Sequence, residues 1–289
     1  MEKTSNFSYL NNIFKLEITF LIDLVAIAGF FTMALPLTHL YTLIPLLVAG
    51  TSASMSSGVF NNLYDTDIDS RMKRVSKRRT DIKQNRGRYI LLMGILLAIS
   101  VTTSLLFLNI VTFLFIMAGF VSYAFLYTVL LKRRTEWNIV IGGIAGSFPA
   151  LAGSSAFYGY PSIPSIYVAI MVFLWTPTHF WALAIKYRED YREANIPMLP
   201  ATKGIPATRK AILANSIILA IFMSLPVFFT WMVSGLYFRI FAIPLGLILL
   251  VPSVIYYVRN GAEKEYRKLF SFSNIFLTLA LIIVILSSM

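Results

Sequence analysis

The chain contains no cysteine and only 13% charged residues, and both features limit what kind of protein it can be. Without cysteine, it has no disulfides and no thiolate metal ligands. A soluble domain has about 25% charged residues, whereas this chain is 57% hydrophobic. Its apolar runs continue for about 20 residues, the length of a membrane-spanning helix, and do not alternate as the strands of a membrane barrel would. We therefore predict an all-α, polytopic membrane protein.

Acidic residues are also scarce, with 13 Asp and Glu against 25 Lys and Arg and a net charge of +12. The apolar runs predict nine spans, at about 18–37, 40–60, 89–108, 110–131, 138–158, 164–185, 210–233, 240–258 and 270–288. Of the 25 basic residues, all but Arg239 lie in the N-terminal segment or in the even-numbered links between spans. The positive-inside rule places these segments in the cytoplasm and the C-terminus outside. Topology in the cell (inner, cytoplasmic) membrane thus explains the charge, and we expect contact with membrane lipids and no nucleic-acid partner.

The second link, 61–88, begins with a regular series of polar residues. Asn61, Asp65 and Asp69 are spaced at i, i+4 and i+8, so on a helix they would share one face, and Asp67 would point elsewhere. Carboxylate and amide oxygens are ligands for a hard divalent cation such as Mg²⁺, which usually holds substrate phosphates as well. The alternative is a solvated loop of mixed charge, because such spacing also arises by chance.

Basic residues follow this series directly, at Arg71, Lys73, Arg74, Lys77, Arg78 and Arg79. An acidic face with a basic flank suits a phosphorylated anion. The sixth link, 186–209, is also acidic at its start, and both links follow the second span of a four-span unit. We therefore expect one domain over 1–289 with four-helix halves at about 18–131 and 138–258 and a last helix at 270–288, so that the two links meet at one cytoplasmic mouth.

Few polar residues lie within the spans. Asp23, in the first span, is expected to pair with a neighbouring span or, less readily, to contact a ligand. His179 precedes the sixth link by about two turns. It is either a hydrogen-bonded interior side chain or a proton carrier or haem-iron ligand, and the sequence leaves these alternatives open. His39 lies in an outside link and is expected to be solvated.

Several segments of the chain resemble the UbiA superfamily of intramembrane prenyltransferases. FNNLYDTDIDSRMKR, at 60–74, resembles the first aspartate-rich motif of that superfamily. The paired asparagines, YTVLLKRRT at 127–135, NIVIGGIAGSFPALAG at 138–153 and HFWALAIKYREDYREANIPMLP at 179–200 are similar to its haem O synthase (protohaem IX farnesyltransferase) branch. Many members carry two aspartates four residues apart in the second motif, whereas here Lys186 stands four residues before Asp190.

The resemblance implies a UbiA-like bundle in which cytoplasmic loops cap a central cavity. It implies transfer of farnesyl from farnesyl diphosphate to a vinyl group of protohaem (haem B), with Mg²⁺ as cofactor and a haem A synthase or terminal oxidase assembly as a further partner. The expected metal ligands are Asn61, Asp65, Asp69, Glu189 and Asp190; of these, all but Glu189 are also expected to be catalytic. The expected substrate contacts are Lys15, Asn62, Arg74, Arg78, Tyr127, Lys132, His179 and Lys186.

Two other functions remain open on the residues alone. A related prenyltransferase acting on a quinone precursor or a glycerol-phosphate lipid would need the same metal face. A cation or phosphate transporter would also need charged groups, but transporters usually place their ligands near the bilayer midplane. Because the acidic groups here lie at the ends of the spans, the sequence favours an enzyme.

Overall fold

The computed structural model describes residues 6–33, 37–67, 81–233, 235–259 and 265–288, and within these ranges it contains helices and no strand. Before the middle of the chain the α-helices are α1, Asn6–Phe14; α2, Leu16–Phe31; α3, Leu43–Tyr64; α4, Arg86–Phe107; and α5, Ile110–Val121. A 3₁₀ helix, Leu37–Thr42, precedes α3, and a π-helix, Ser122–Leu131, continues α5.

The second part of the chain is also helical in its described residues. Its α-helices are α6, Asn138–Gly142; α7, Phe148–Tyr158; α8, Ile163–Lys186; α9, Arg188–Glu193; α10, Leu199–Thr202; α11, Gly204–Phe228; α12, Leu236–Val258; and α13, Tyr266–Ser288. A 3₁₀ turn, Gly143–Gly146, joins α6 to α7 within one span. Helices α9 and α10 are short and lie in the sixth predicted link.

Eight helical segments among the described residues are long and apolar enough to cross a membrane, which confirms the prediction of an all-α, polytopic protein. They correspond to the second to ninth predicted spans. The first predicted span, 18–37, corresponds to α2, which is 16 residues long and is not one of the eight. Large apolar side chains such as Phe20, Ile44 and Phe228 are 70–73% exposed, as lipid-facing residues should be.

Small residues allow α2 and α7 to cross closely. A Cβ atom added to Gly29 would lie 2.1 Å from the carbonyl oxygen of Ala150, and one added to Gly153 would lie 2.0 Å from that of Ala26. Neither position therefore accepts a larger residue without a backbone shift. This close contact is typical of helices that associate in lipid, where van der Waals packing takes the place of the hydrophobic effect.

The structure confirms the prediction made for Asp23 and contradicts the one made for His39. Asp23 accepts a hydrogen bond from Thr51 at 2.8 Å, so the predicted pairing with a neighbouring span is confirmed. The prediction that His39 is solvated is wrong, because its ring stacks on Phe157 with the ring centroids 3.8 Å apart. Folding of the 3₁₀ helix against α7 brings these two rings together, and the sequence contains no signal for that contact.

Candidate active site

The site is built around Asp65, which follows the last residue of α3 and is only 2% exposed. Asn61, one turn earlier, donates from Nδ2 to Asp65 Oδ2 at 2.8 Å, so the first two residues of the predicted series are neighbours. The prediction that one helix carries Asn61, Asp65 and Asp69 is wrong, because the helix ends at Tyr64 and residues 65–67 form a turn. The side chain of Asp65 is held by cations from another element, which favours ending the helix here. Asp69 lies outside the described residues.

Two basic residues compensate the buried charge of Asp65. Lys132 Nζ donates to Asp65 Oδ2, and Arg133 approaches Oδ1 at 3.4 Å. Arg133 also binds both oxygens of Asp67 at 2.8 Å each, and Asp67 is 65% exposed, so it points away from the buried group as predicted. A buried carboxylate requires such pairing, because desolvation of an unpaired charge is costly. The pairs connect the turn after α3 to the end of the π-helix.

Lys15 reaches the same group of residues from α2. Its Nζ atom donates to Asn61 Oδ1 at 2.5 Å and to the hydroxyl of Tyr123 at 2.8 Å. The backbone of Lys15 is left-handed, with φ 53°, at the break between α1 and α2. For a residue other than glycine this conformation costs about 1 kcal/mol or more, and such strain is often found at functional sites.

The π-helix determines which residues of its segment face Asp65. The backbone N–H of Lys132 bonds to the carbonyl of Tyr127, five residues earlier, at 2.8 Å. The rings of Tyr123 and Tyr127 stack with their centroids 5.6 Å apart, and buried Thr128 accepts a hydrogen bond from Asn61 at 3.0 Å. Single π-turns inside α-helices occur frequently at functional sites. Thr128 and Lys132 therefore contact Asn61 and Asp65 directly, and Tyr123 contacts Lys15, which bonds to Asn61.

The second acidic stretch lies on α9, at the same end of the bundle. Glu189 is exposed and bonded to Arg188 at 2.8 Å and Arg192 at 3.2 Å, and its pKa is lowered by its hydrogen bond to Arg188 and by the charges of both arginines. Asp190 is half-buried. Next to it, Tyr191 packs against the same apolar cluster as Tyr127. The fold therefore brings the beginning of the sixth link beside the π-helix.

Two other residues predicted to contact the substrate, Asn62 and Lys186, interact with other parts of the chain. Asn62 donates from Nδ2 to the backbone carbonyls of Asn12 and Ile13, at 3.2 and 2.8 Å, so its amide supports the end of α1, and its contact with substrate stays a prediction. Lys186 is exposed, with its ammonium over the ring of Tyr187. Arg74 and Arg78 lie outside the described residues.

The site contains functional candidates that sequence reasoning missed, namely Tyr123, Thr128 and Arg133. Arg133 directly follows Lys132, and Tyr123 lies four residues before Tyr127. Closeness in sequence to a predicted site residue could therefore have indicated both Arg133 and Tyr123. The contact between Thr128 and Asn61 had no such signal. Among the described residues, no group of three or more His, Cys, Asp or Glu side chains is close enough to hold a metal ion.

His179 is placed on the face of α8 that packs against α13. Its Nδ1 atom is 2.9 Å from the hydroxyl of Ser273, and its ring lies against the rings of Trp175 and Phe270, with centroid distances of 4.3 and 4.6 Å. The interior, hydrogen-bonded position predicted as one alternative is therefore correct.

The chain is similar to known proteins in both sequence and fold. The model of the UbiA prenyltransferase family matches residues 24–279. The chain is 45% identical to "Protoheme IX farnesyltransferase 2" of Picrophilus torridus, over 95% of this chain and 96% of that protein. A solved structure described as "Structural and mechanistic insights into the biosynthesis of Digeranylgeranylglyceryl phosphate synthase in membranes" superposes with a TM-score of 0.78 over 98% of both chains, at 15% identity.

A second solved structure is that of a UbiA homolog from Archaeoglobus fulgidus bound to DMAPP and Mg²⁺. It superposes with a TM-score of 0.70 over 96% of this chain and 99% of that one, at 18% identity. At such low identities the two solved structures show a common fold, whereas the relative at 45% identity shows common descent over nearly the whole chain.

Proposed function

The chain belongs to the UbiA prenyltransferase family, and from this premise we propose that it is a protohaem IX farnesyltransferase, which makes haem O. The observation that carries the proposal is the 45% identity to a protein named for that activity, over 95% of this chain. The structural neighbour named for a glycerol-phosphate lipid product shares only 15% of its sequence with this chain and supports the fold alone.

The reaction joins C1 of farnesyl diphosphate to a vinyl group of protohaem. The C1–O bond breaks and its electron pair leaves with diphosphate, while the vinyl π electrons form the new bond to C1. Water then adds to the resulting cation and loses a proton, which leaves a hydroxyethylfarnesyl side chain. The vinyl group is electron-rich, so no strong general base is needed for the first step.

The oxygen donors present suit a divalent cation. We assign Asn61, Asp65, Asp69 and Asp190 to this role, with Glu189 as a weaker candidate because its side chain is exposed to solvent. Asp65 is a suitable ligand because it is buried and held in place by Asn61. Bound Mg²⁺ would supply neutralisation of the negative charge that develops on the departing diphosphate.

The basic residues around Asp65 are arranged to bind the diphosphate. Lys15, at the start of α2, and the adjacent Lys132 and Arg133, after the π-helix, converge on Asn61 and Asp65 from two parts of the fold. Lys132 and Arg133 compensate the carboxylate of Asp65, and we infer that all three basic residues donate to phosphate oxygens when substrate is present. We retain Arg74 and Arg78 as further candidates.

The stacked tyrosines next to the phosphate-binding residues suit the cationic intermediate. Tyr123 and Tyr127 form an aromatic surface beside Lys15 and Lys132, so C1 of the prenyl chain would lie against ring faces, which attract positive charge. The surrounding helices exclude bulk water until the acceptor is in place. The farnesyl tail and the haem would both enter from the membrane.

We further propose that the protein lies in the cell membrane with its N-terminus and this site on the cytoplasmic side. The distribution of basic residues supports that orientation. We also propose a haem A synthase or terminal oxidase assembly as a partner, because either would consume the product of the proposed reaction.

The test is a reaction with purified protein, Mg²⁺, farnesyl diphosphate and protohaem, followed by the mass of the product haem. We expect a mass increase equal to one farnesyl group plus one hydroxyl group, and no product after chelation of Mg²⁺. Reactions with a quinone precursor or a glycerol-phosphate lipid in place of haem serve as controls. Product from one of these acceptors and none from haem would contradict the proposal.

A further inference from the structure

The tautomer of His179 follows from its hydrogen-bonding partner. Ser273 Oγ lies 2.6 Å from the carbonyl oxygen of Phe270, to which only a hydroxyl proton can be donated. A serine hydroxyl has one proton, so Ser273 must accept the hydrogen bond that joins it to His179. The donor in that 2.9 Å contact is therefore His179 Nδ1–H.

This assignment leaves Nε2 as the nitrogen that carries a lone pair. Among the described residues Nε2 makes no hydrogen bond, and the side chain is only partly buried. The plane of the ring is fixed by its packing against Trp175 and Phe270. Trp175 is itself held by a 2.8 Å bond from its indole N–H to the carbonyl of Ser273. A neutral imidazole with one nitrogen hydrogen-bonded and the other available is the usual arrangement of a histidine that ligates a metal.

The location of His179 relates it to the site built around Asp65. Its ring lies 5.4 Å from that of Phe180, which packs in the same apolar cluster as Tyr127 and Tyr191. Aromatic side chains therefore lead from the tyrosines beside Lys132 to His179. A flat, apolar acceptor lying along these rings would present its edge to the prenyl C1 and its central metal to Nε2.

We propose that His179 Nε2 is an axial ligand of the iron in the haem acceptor and that Ser273 is a positioning residue that fixes the ring for this contact. The inference rests on the proposed function, because that function makes haem the acceptor. The contact requires no change of oxidation state: a lone pair of the neutral imidazole occupies a coordination position of the iron. Its purpose would be to set the position of the vinyl group relative to the prenyl cation.

The test is a spectroscopic titration of the full-length protein, purified without a polyhistidine tag, with ferric protohaem and without Mg²⁺ or farnesyl diphosphate. The unsubstituted protein should give the Soret band and electron paramagnetic resonance signal of histidine-ligated iron. In His179→Ala these signals should disappear, the apparent Kd for haem should rise at least about tenfold, and added imidazole should restore the spectrum. An unchanged spectrum in His179→Ala, or no such spectrum with the unsubstituted protein, would overturn the proposal.

The sequence offers a matched control, because His39 and His179 are its only two histidines. His39→Ala should bind haem with an unchanged spectrum, and loss of the signal there would also contradict the assignment. Metal-free protoporphyrin provides a second control. It should bind His179→Ala and the unsubstituted protein equally, because only the contact with iron is removed; a matching loss of protoporphyrin affinity would instead indicate a structural role for His179.

The positioning role of Ser273 has its own readout. Ser273→Ala removes the acceptor for Nδ1–H, so it should weaken haem affinity about tenfold and alter the ligand-field signal while retaining histidine ligation. An unchanged signal would remove Ser273 from the proposal. Farnesyl transfer is measured separately: histidine ligation without transfer would refute the proposed function alone, whereas transfer to haem without ligation would refute this inference alone.

Discussion

At the scale of single residues, the site depends on one buried carboxylate. Asp65 is 2% exposed, accepts from Asn61 and is paired with Lys132 and Arg133. Asp67, two residues later, is 65% exposed and pairs with Arg133 at the surface. The two aspartates thus provide a comparison in which residue type and neighbouring sequence are nearly the same, and burial differs.

We expect Asp65→Asn to reduce farnesyl transfer by about 100-fold or more, because it removes the charge that holds both the metal and the surrounding cations. Asp67→Asn should reduce it less than about fivefold, since an exposed ion pair contributes under about 1 kcal/mol. Initial rates of diphosphate release measure both effects. Equal losses in the two variants would mean that the buried position of Asp65 is not what determines its role.

At the scale of helices, the π-helix and α6 are arranged to hold Tyr127. A Cβ atom added to Gly142 would lie 2.6 Å from Cδ2 of Tyr127, so only glycine leaves room for the ring. A Cβ atom added to Gly146 would have Val172 Cγ1 as its nearest atom, at an ordinary 3.5 Å. These two glycines are one turn apart in the chain and differ in what they contact.

Gly142→Ala should displace Tyr127 and lower the rate of transfer by about 10- to 100-fold, because small displacements of groups around a reacting centre have large effects on rate. Gly146→Ala should stay within about twofold of the unsubstituted rate. Steady-state kinetics with both substrates at saturation separate this effect from weaker binding. A fully active Gly142→Ala would show that Tyr127 does not contribute to the reaction.

The crossing of α2 and α7 predicts an effect on stability. Gly153→Ala would push a methyl group against the backbone of α2 and should lower the free energy of unfolding by about 1–3 kcal/mol. Gly94→Ala, in α4, is the control, because an added Cβ there meets nothing within 4 Å. Thermal unfolding in detergent measures both variants. A Gly153→Ala protein as stable as Gly94→Ala would contradict the close packing described.

At the scale of the whole molecule, the absence of cysteine makes the orientation in the membrane directly testable. Arg134→Cys lies in the fourth link and Tyr160→Cys in the fifth, and both positions are exposed. An impermeant thiol reagent added to intact cells should label Tyr160→Cys and should label Arg134→Cys only after the membrane is opened. The opposite pattern would place the candidate active site on the outer face.

The two predicted four-helix halves stay a prediction, and so does the complete set of metal ligands. The nine predicted spans differ from the eight long apolar helices in one element, the 16-residue α2. That helix begins at Leu16, before the predicted start, and ends at Phe31, before the predicted end at 37, so the difference lies at its C-terminal end. Hydropathy places the end later because the apolar sequence continues through Met33, Ala34 and Leu35.

The sequence by itself determined the class of protein and the second to ninth spans, because lipid imposes long apolar helices. It also identified Asn61, Asp65 and Lys132 through local motifs. Only the tertiary structure decided that Asp65 is buried between cations, that Thr128 accepts from Asn61, and that Ser273 is hydrogen-bonded to Nδ1 of His179. These features join residues far apart in the chain, so their energies depend on packing between helices and not on any local pattern.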